Sequence, residues 1–566
     1  SSDILRARAL TRRMSLEEKV GQLFVVEVYG QAADTSHPRN QALYGVATPA
    51  EVVAKYQPGG VIYFDARRGP DNVREPRQVA ALSNGLQRAA LRTGARVPLL
   101  VSIDQEGGSV VYRMVEPATQ FPGNMALAAT RSRKETLRAA EIIGAELAAM
   151  GINQNYAPVA DVNINPENPI IGVRSFGSDT ALCSSLVATA VRGYHEGGVS
   201  SAAKHFPGHG DTETDSHTGL PVITHSRAEL ERIDLPPFRA AIKQGVDTIM
   251  SAHIVVPALD ASGVPATMSK PIITGLLREE LGFEGLIVTD ALDMGGATGD
   301  FPPDIAPVRA LQAGCDQLVL APKLDVARAA VLDAVRSGKV TESRLDASVT
   351  RILAHKLRRG LHPRPFVSET VAARTVGSAA HLSAAASLTD RAVTLVRNEG
   401  VLPLSPATAR SVLVTGWGAT QVKNLVTAVS AYEGQSATGL ETGTVPKQAA
   451  IDEAAAVART HDVVLVSSNA AAAGAEKGVA QAALVKALMD TGIPVIVAAV
   501  RNPYDIRRFP EVPAYLATYS YGAPALTSLA RVLFGTVPPR GKLPVTVPAL
   551  ASPSTTLYGF GHGLSY

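Results

Sequence analysis

The 566-residue sequence contains only two cysteines, one tryptophan and few charged residues. Cys183 and Cys315 cannot build a disulfide framework or a four-thiolate zinc site, and we interpret them as small buried residues. A single tryptophan, Trp417, argues against a broad aromatic platform for binding a polymer. Charged residues make up 19% of the chain and the formal net charge is +3. No Lys/Arg run suits a phosphate backbone, so we expect no nucleic-acid partner.

Long apolar runs are also missing, since none reaches the roughly 18 residues that a membrane-spanning helix needs. We therefore expect no membrane span. The chain begins at Ser1 rather than at Met, which is consistent with a removed leader and favours a secreted or envelope-associated protein over a cytoplasmic one. The oligomeric state is left open by the sequence.

Short apolar runs, in contrast, recur through the first 320 residues. They are rich in Val and Ile and mostly do not alternate with polar residues, as is typical of strands buried on both faces. Helical patterns lie between many of them, for example at 77–94 and 134–151. Eight strands that alternate with helices predict a (β/α)8 barrel of the TIM type over residues 1–360. The eight runs are 21–28, 59–64, 97–104, 152–162, 200–206, 247–256, 285–290 and 316–321.

A second alternating pattern follows, and a chain of this length is too long for one hydrophobic core. Residues 361–392 are interpreted as a linker, and residues 393–566 as a parallel α/β sandwich domain. The stretch "GWGAT" (416–420) resembles half of a dinucleotide-binding fingerprint but lacks the third glycine. We therefore expect no cofactor. The predicted strands of this domain are 393–398, 411–418, 462–469, 494–503 and 514–522.

Titratable residues are concentrated in "KHFPGHGDTETDSHTG" (204–219), which holds three histidines, two aspartates, a glutamate and a lysine. Three glycines and a proline predict a loop after the strand that ends near Lys204 and His205. Asp215 and His217 are two residues apart, so the carboxylate can accept a hydrogen bond from the imidazole and favour its protonated form. This pair is predicted to be a proton carrier that works near neutral pH.

Other polar residues lie at strand ends, which meet at the face where such barrels have their active sites. Asp290 in "VTDALDM" suits a nucleophile, a general base or a metal ligand, and equally a helix N-cap. Asp104 and Arg113 in "SIDQEGGSVVYR" and Arg174 in "GVRSFG" suit a polyhydroxylated ligand, because charged groups make strong hydrogen bonds to hydroxyls. The strand-end set comprises Asp104, Asp161, Lys204, His205, His253 and Asp290.

A metal site is the alternative for the histidines. His205, His209, His217 and His253 could bind zinc in a barrel hydrolase. Their spacing does not follow H-x-H or H-E-x-x-H, and the neighbouring Lys204 would oppose a cation. We therefore expect no metal.

The motifs "KHFPGHGDTETDSH", "SIDQEGG", "GVRSFG" and "VTDALDM" together resemble glycoside hydrolase family 3, in particular bacterial β-N-acetylglucosaminidases of the cell-wall recycling type. The resemblance implies a retaining exo-β-N-acetylglucosaminidase that acts on peptidoglycan fragments or chito-oligosaccharides. Asp290 matches the nucleophile, and His217 with Asp215 matches the acid/base dyad. The sugar-binding positions that it implies are Asp104, Arg113, Arg174, Lys204 and His205.

Two alternatives to hydrolysis stay open. A neutral imidazole repels an incoming anion less than a carboxylate does, so phosphate could replace water and make the enzyme a phosphorylase. A non-catalytic cell-wall-binding protein is the other alternative, although Asp290, His217 and Asp215 are all present.

Overall fold

The computed structural model describes residues 2–566 and contains two large β-sheets. The first has eight strands and lies within the first 320 residues. The second has six strands and begins at Thr394.

The eight-stranded sheet is a parallel barrel. Its strands are β1 (Phe24–Val26), β2 (Gly60–Tyr63), β3 (Leu100–Ile103), β4 (Gln154–Asn155), β5 (Ser200–Phe206), β6 (Thr248–Ser251), β7 (Leu286–Thr289) and β8 (Leu318–Val319). They lie in the order β7-β6-β5-β4-β3-β2-β1-β8, and every pairing is parallel. A parallel bridge between Val288 and Gln317 joins the two ends of this order and closes the ring. The predicted (β/α)8 barrel is confirmed.

Helices surround the barrel, and several begin at capping residues that their sequences supply. Ser15 and Glu18 form a capping box at the start of α2, and the Ser132 side chain caps α7. The helices are α1 (Ser2–Arg13), α2 (Leu16–Gln22), α3 (Pro38–Tyr44), α4 (Pro49–Tyr56), α5 (Pro76–Leu91), α6 (Asn124–Ala129), α7 (Arg133–Ala149), α8 (Thr180–Gly197), α9 (Arg227–Glu229), α10 (Pro236–Gln244), α11 (Gly295–Thr298), α12 (Ala306–Ala313), α13 (Leu324–Arg336) and α14 (Glu342–Arg358). Two π-helical segments, Leu230–Asp234 and Pro271–Glu280, and two 3-10 turns, Gly172–Arg174 and Ala266–Met268, complete this region.

Most of the strands are shorter than the apolar runs that predicted them. β5 matches its run of 200–206 and is buried along its whole length. β4, in contrast, has only two residues, whereas the apolar run spans 152–162. Pro158 has no N–H to donate, so a regular ladder cannot continue through it. A cluster of apolar side chains from successive strands, including Val25, Ile62 and Met250, fills the barrel interior.

The segment 361–392, predicted as a linker, carries two helices, α15 (Glu369–Thr375) and α16 (Ala379–Ala392). α15 packs against α5 and α7 of the barrel, and α16 packs against α6. Ala372 and Leu388 are completely buried in these contacts.

The second sheet consists of β9 (Thr394–Asn398), β10 (Ser411–Gly416), β11 (Ser436–Glu441), β12 (Val463–Ser468), β13 (Val495–Ala499) and β14 (Ala514–Ala517). Their order is β11-β10-β12-β13-β14-β9, with all pairs parallel except β9, which is antiparallel to β14. The sequence pattern missed β11, because this edge strand is polar and largely exposed.

Helices and a small hairpin cover the second sheet. They are α17 (Ala419–Ser430), α18 (Gln448–Ala458), α19 (Ala475–Met489), α20 (Ala523–Leu533), a 3-10 segment at Pro503–Arg508, and the strands β15 (Val547–Pro548) and β16 (Thr556–Tyr558). Separate apolar clusters occupy the two faces of the sheet, as a sandwich requires. No helix within residues 2–566 combines the length and apolarity needed to cross a membrane.

Loops that follow the strands of both sheets meet between them. Ser109, after β3, hydrogen-bonds Ser520, after β14, with an Oγ–Oγ distance of 2.9 Å. Asn163 Nδ2 donates to Tyr504 Oη at 3.0 Å, across the same interface. The second sheet therefore packs against loops that emerge from the carboxyl-terminal mouth of the barrel.

Candidate active site

Seven of the eight predicted site residues line one cleft at the mouth of the barrel. The eighth, Asp215, does not line the cleft but accepts a hydrogen bond from His217. The floor of the cleft is apolar and includes Met250 and Val319, from β6 and β8. The seven residues are Asp104, Arg113, Arg174, Lys204, His205, His217 and Asp290.

A larger cavity of about 920 Å3 lies between α1 and α14. None of the predicted site residues lines it. Its lining includes Leu286, the first residue of β7, so it lies at the opposite end of the barrel from Asp290. We therefore place the chemistry in the smaller cleft.

Asp290 directly follows β7 and is held as a carboxylate. Its Oδ1 accepts a hydrogen bond from the Ala291 N–H at 2.8 Å, and its Oδ2 lies 4.0 Å from His205 Nε2. Burial raises the pKa of Asp290, but the nearby His205 and His253 imidazoles and the Ala291 N–H outweigh burial, so the net pKa is lowered. The group is therefore ionised at neutral pH, as a nucleophile must be.

His205 is oriented by Asp161, a buried carboxylate. His205 Nδ1 donates to Asp161 Oδ2 at 2.7 Å. Asp161 Oδ1 accepts from the backbone N–H groups of His205, at 3.2 Å, and His209, at 2.8 Å. With Nδ1 engaged in this way, Nε2 is the ring nitrogen that faces Asp290.

Glu106 joins two cations below the cleft. Arg174 donates from Nε and Nη2 to Glu106 at 2.9 and 2.7 Å, which is a bidentate pair. Lys204 Nζ lies 2.8 Å from Glu106 Oε1 and 3.1 Å from Asp104 Oδ1. Burial raises the pKa of Glu106, but Arg174 and Lys204 outweigh burial and hold that pKa at about 2. The charged groups are thus fixed by one another before any ligand arrives.

Arg113, together with Asp104 and Lys204, forms what we call the charged wall of the cleft. Its Nη2 lies 3.8 Å from Asp104 Oδ2, and its guanidinium lies over the Phe64 ring, 5.1 Å from the ring centroid. The Nε of Arg113 is buried and has no hydrogen-bond partner among residues 2–566.

The dyad lies on the loop that follows β5. His217 Nδ1 donates to Asp215 Oδ1 at 2.7 Å, and the same oxygen accepts from the His217 backbone N–H at 2.9 Å. The His217 side chain is 49% exposed, so it is open to a ligand. The N–H groups of Gly295 and Gly296 donate to the carbonyls of His217 and Ser216, at 2.9 and 3.0 Å. The loop is therefore docked on the segment that follows Asp290.

The four histidines considered for zinc do not converge on one point. His209 contacts Thr212 and Ser216 through its ring nitrogens, and His253 contacts Thr267 Oγ1 and the Ala291 carbonyl. In the part of the chain that the structure describes, no cluster of three or more His, Cys, Asp or Glu side chains is arranged to hold a metal ion.

Two carboxylates organise the cleft without having been predicted to do so: sequence reasoning missed Glu106 and gave Asp161 no role. Glu106 lies within the quoted "SIDQEGG" motif, but nothing local distinguishes it from the neighbouring Asp104. Asp161 was recognised at a strand end without a role in the site. For Asp161 a signal was available, because a carboxylate inside an apolar run such as 152–162 is rarely buried unless it is paired.

Comparison with known proteins assigns both domains of the chain to a family. Residues 15–355 match the glycosyl hydrolase family 3 N-terminal domain, and residues 393–566 match the family 3 C-terminal domain. Beta-hexosaminidase A of Pseudoalteromonas piscicida is 35% identical over 598 residues, covering 94% of this chain and 97% of that protein.

Solved structures agree with this assignment. A glycoside hydrolase family 3 beta-N-acetylglucosaminidase from Paenibacillus sp. FPU-7 aligns with a TM-score of 0.83 and 36% identity, covering 94% of this chain and 99% of that chain. A beta-glucoside phosphorylase aligns with the same TM-score at 25% identity, with 96% of each chain covered. The chain belongs to glycosyl hydrolase family 3, and it is a glycoside hydrolase.

Proposed function

We propose that this enzyme is a retaining exo-β-N-acetylglucosaminidase that releases terminal N-acetylglucosamine from chito-oligosaccharides or peptidoglycan fragments. The observation that carries the proposal is that Asp290 and His217, from two different loops, line the same cleft. The choice of sugar is supported by the names of two relatives, the beta-hexosaminidase of Pseudoalteromonas piscicida and the beta-N-acetylglucosaminidase of Paenibacillus.

The reaction is a double displacement. The Asp290 carboxylate attacks the anomeric carbon while His217 Nε2 donates its proton to the glycosidic oxygen, so the C1–O bond breaks and the aglycone leaves as an alcohol. Asp215 holds Nδ1 and stabilises the protonated ring. In the second step His217 takes a proton from water, whose oxygen attacks C1 and releases Asp290.

The charged wall binds the sugar hydroxyls. Asp104 and Lys204 offer an acceptor and a donor to neighbouring hydroxyls, and the Arg113 guanidinium lies beside Asp104. Arg174 and His205 stand between this wall and Asp290, with Arg174 Nη2 3.5 Å from His205 Nε2. Because these groups are already paired, little reorganisation is needed when substrate binds.

The nucleophile is tested by covalent trapping. We expect a fluorinated N-acetylglucosaminide with a good leaving group to add one glycosyl mass to the peptide that contains Asp290. Asp290→Ala should abolish the adduct together with the hydrolysis of chromogenic N-acetylglucosaminides. Asp300→Ala, which changes an exposed aspartate ten residues away, is the matched control and should label normally.

An adduct that persists in Asp290→Ala would overturn the assignment. Binding of N-acetylglucosamine oligomers by the wild-type protein without any turnover would instead favour a non-catalytic binding protein.

Phosphorolysis is the second candidate, and the imidazole acid/base favours it. His217 takes the place of the second carboxylate that most retaining glycosidases use, so a phosphate dianion meets less repulsion beside it. The likeness to a beta-glucoside phosphorylase is also consistent with this reaction. Product analysis on chitobiose with and without phosphate decides the point. Hydrolysis gives N-acetylglucosamine in both cases, whereas phosphorolysis gives N-acetylglucosamine 1-phosphate only when phosphate is present.

A further inference from the structure

His225 lies away from the lining of the cleft and binds two carboxylates at once. Its Nδ1 donates to Asp234 Oδ2 at 2.6 Å, and its Nε2 donates to Asp211 Oδ2 at 2.8 Å. An imidazole can donate from both nitrogens only when it is protonated. The hydrogen bonds to Asp211 and then to Asp234 raise the pKa of His225 to about 10, so the ring is an imidazolium at neutral pH.

One end of this bridge belongs to the rigid scaffold. Asp234 is 1% exposed and ends the π-helical segment that leads into α10. α10 packs against α8 and β5 of the barrel. Asp234 also lies against Gly208, where an added Cβ would come within 2.9 Å of the aspartate Cβ. The backbone that follows β5 therefore packs directly against the Asp234 side chain.

The other end of the bridge is the start of the acid/base loop. Asp211 begins the stretch 211–219, which carries the dyad of Asp215 and His217. Its side chain is about one-third exposed, in contrast to the buried Asp234. The ion pair with His225 therefore connects an exposed loop residue to the barrel wall.

A second histidine holds the middle of the loop. His209 contacts Thr212 Oγ1 through Nδ1 at 2.7 Å and Ser216 Oγ through Nε2 at 2.9 Å. Ser216 lies between the two dyad residues. Burial lowers the pKa of His209 to about 4, so this contact is made by a neutral ring.

We propose that His225 is a positioning residue for proton transfer: by bridging Asp211 to Asp234 it fixes the start of the acid/base loop and so sets where His217 stands over the cleft. The inference rests on the function proposed for His217. It does not make His225 a catalytic residue, because His225 does not line the cleft. Its effect on the reaction passes through Asp211 and the loop backbone.

Asp211→Asn is the variant that separates positioning from folding. Replacing His225 would leave Asp234 buried without its partner, and removing one partner of a buried pair is strongly destabilising. Asp211→Asn removes the charge only at the exposed end and leaves the buried pair intact. Glu213→Gln makes the same chemical change at an exposed residue of the same loop and is the matched control.

We expect Asp211→Asn to lower kcat/KM about tenfold or more for N-acetylglucosaminides with poor leaving groups, and less than about twofold for a dinitrophenyl glycoside, whose departure needs little protonation. Hydrogen–deuterium exchange of the peptide covering 209–219 should become faster in the same variant. Glu213→Gln should match the wild type in both measurements.

An equal loss for good and poor leaving groups, or no loss for either, would overturn the proposal. If the wild-type protein turns over no N-acetylglucosaminide, the proposed function fails, and hydrogen exchange still tests the bridge by itself. Unchanged exchange in Asp211→Asn would then show that His225 does not fix the loop.

Discussion

At the scale of single residues, the cleft is organised by charges that compensate one another. Glu106 is the centre of this set, because it is buried and pairs with both Arg174 and Lys204. A buried ion pair adds little when it is complete, but losing one partner is costly. The ion pairs that keep Glu106 ionised also fix Arg174 and Lys204, the two cations that we propose bind the sugar.

Glu106→Gln should therefore destabilise the protein and weaken catalysis together. At pH 7 we expect a loss of roughly 3 kcal/mol in the free energy of unfolding, because Arg174 loses its carboxylate partner and Lys204 keeps only Asp104. The pKa of Glu106 is about 2 in the folded state and lies near 4.5 in the unfolded chain. Its contribution is thus complete above pH 4.5 and is lost as the pH falls towards 2.

Denaturant unfolding of the wild type and of Glu106→Gln at a series of pH values checks this expectation. The difference between the two proteins should shrink below pH 4.5. Glu213→Gln, which changes an exposed glutamate, should show no such difference. A gap that stays constant with pH would contradict the assigned role of the ion pairs.

At the scale of elements, α14 packs against α1 and α2 and carries a buried lysine whose hydrogen-bond acceptor is a neutral amide. Lys356 is 1% exposed, and its Nζ donates to the neutral Gln22 Oε1 at 2.8 Å. Burial lowers the pKa of Lys356 to about 7, far below the value near 10.4 that an exposed lysine has. At pH values where Lys356 is protonated, its buried charge lowers the free energy of unfolding.

Lys356→Met should stabilise the protein at pH 7. Between about pH 7 and 10 the unfolded chain binds a proton at this lysine that the folded chain does not, so the stability of the wild type rises with pH. The methionine variant lacks this rise, and its advantage should shrink as the pH approaches 10. Unfolding midpoints from pH 6 to 10 measure the difference, with exposed Lys486→Met as the control. An advantage that does not change with pH would argue against the lowered pKa.

At the scale of the whole molecule, the second sheet and the barrel share a core. Met125 and Ala126 of α6, together with Val173, pack with the apolar cluster on one face of the second sheet. Val173 also donates its N–H to Asn502 Oδ1 at 3.1 Å. The loop that carries Arg174 is therefore supported from the second domain.

A truncated chain of residues 1–392 should therefore expose these side chains and lose activity. We expect it to bind a hydrophobic dye and to elute as aggregates in size-exclusion chromatography, since exposed apolar patches promote association. The full-length chain should elute normally under the same conditions. A truncated protein that is soluble and has the kcat/KM of the full-length chain would show that the second domain is dispensable.

Prediction from the sequence worked where the signal is local. β5 was placed to the residue, because the glycines at 197–198 and the proline at 207 bound the segment on both sides. β11 was missed, since a polar edge strand gains its place only from its neighbour β10. Glu106 was missed for a similar reason: its partner Arg174 is 68 positions away, and only the closed barrel brings the two together.

The sequence by itself determined the alternation of strands and helices and the chemical groups of the acid/base loop, because periodicity and residue type are local properties of the chain. The tertiary structure alone decided which charges meet. Asp211, His225 and Asp234 form one bridge, and Glu106 with Lys204 and Arg174 forms another. The Glu106 pairs form only when strands far apart in the chain close into a ring, and the His225 bridge forms only when the loop after β5 folds back on the segment before α10. In both cases the partners are brought together by the fold and not by a recognisable sequence spacing.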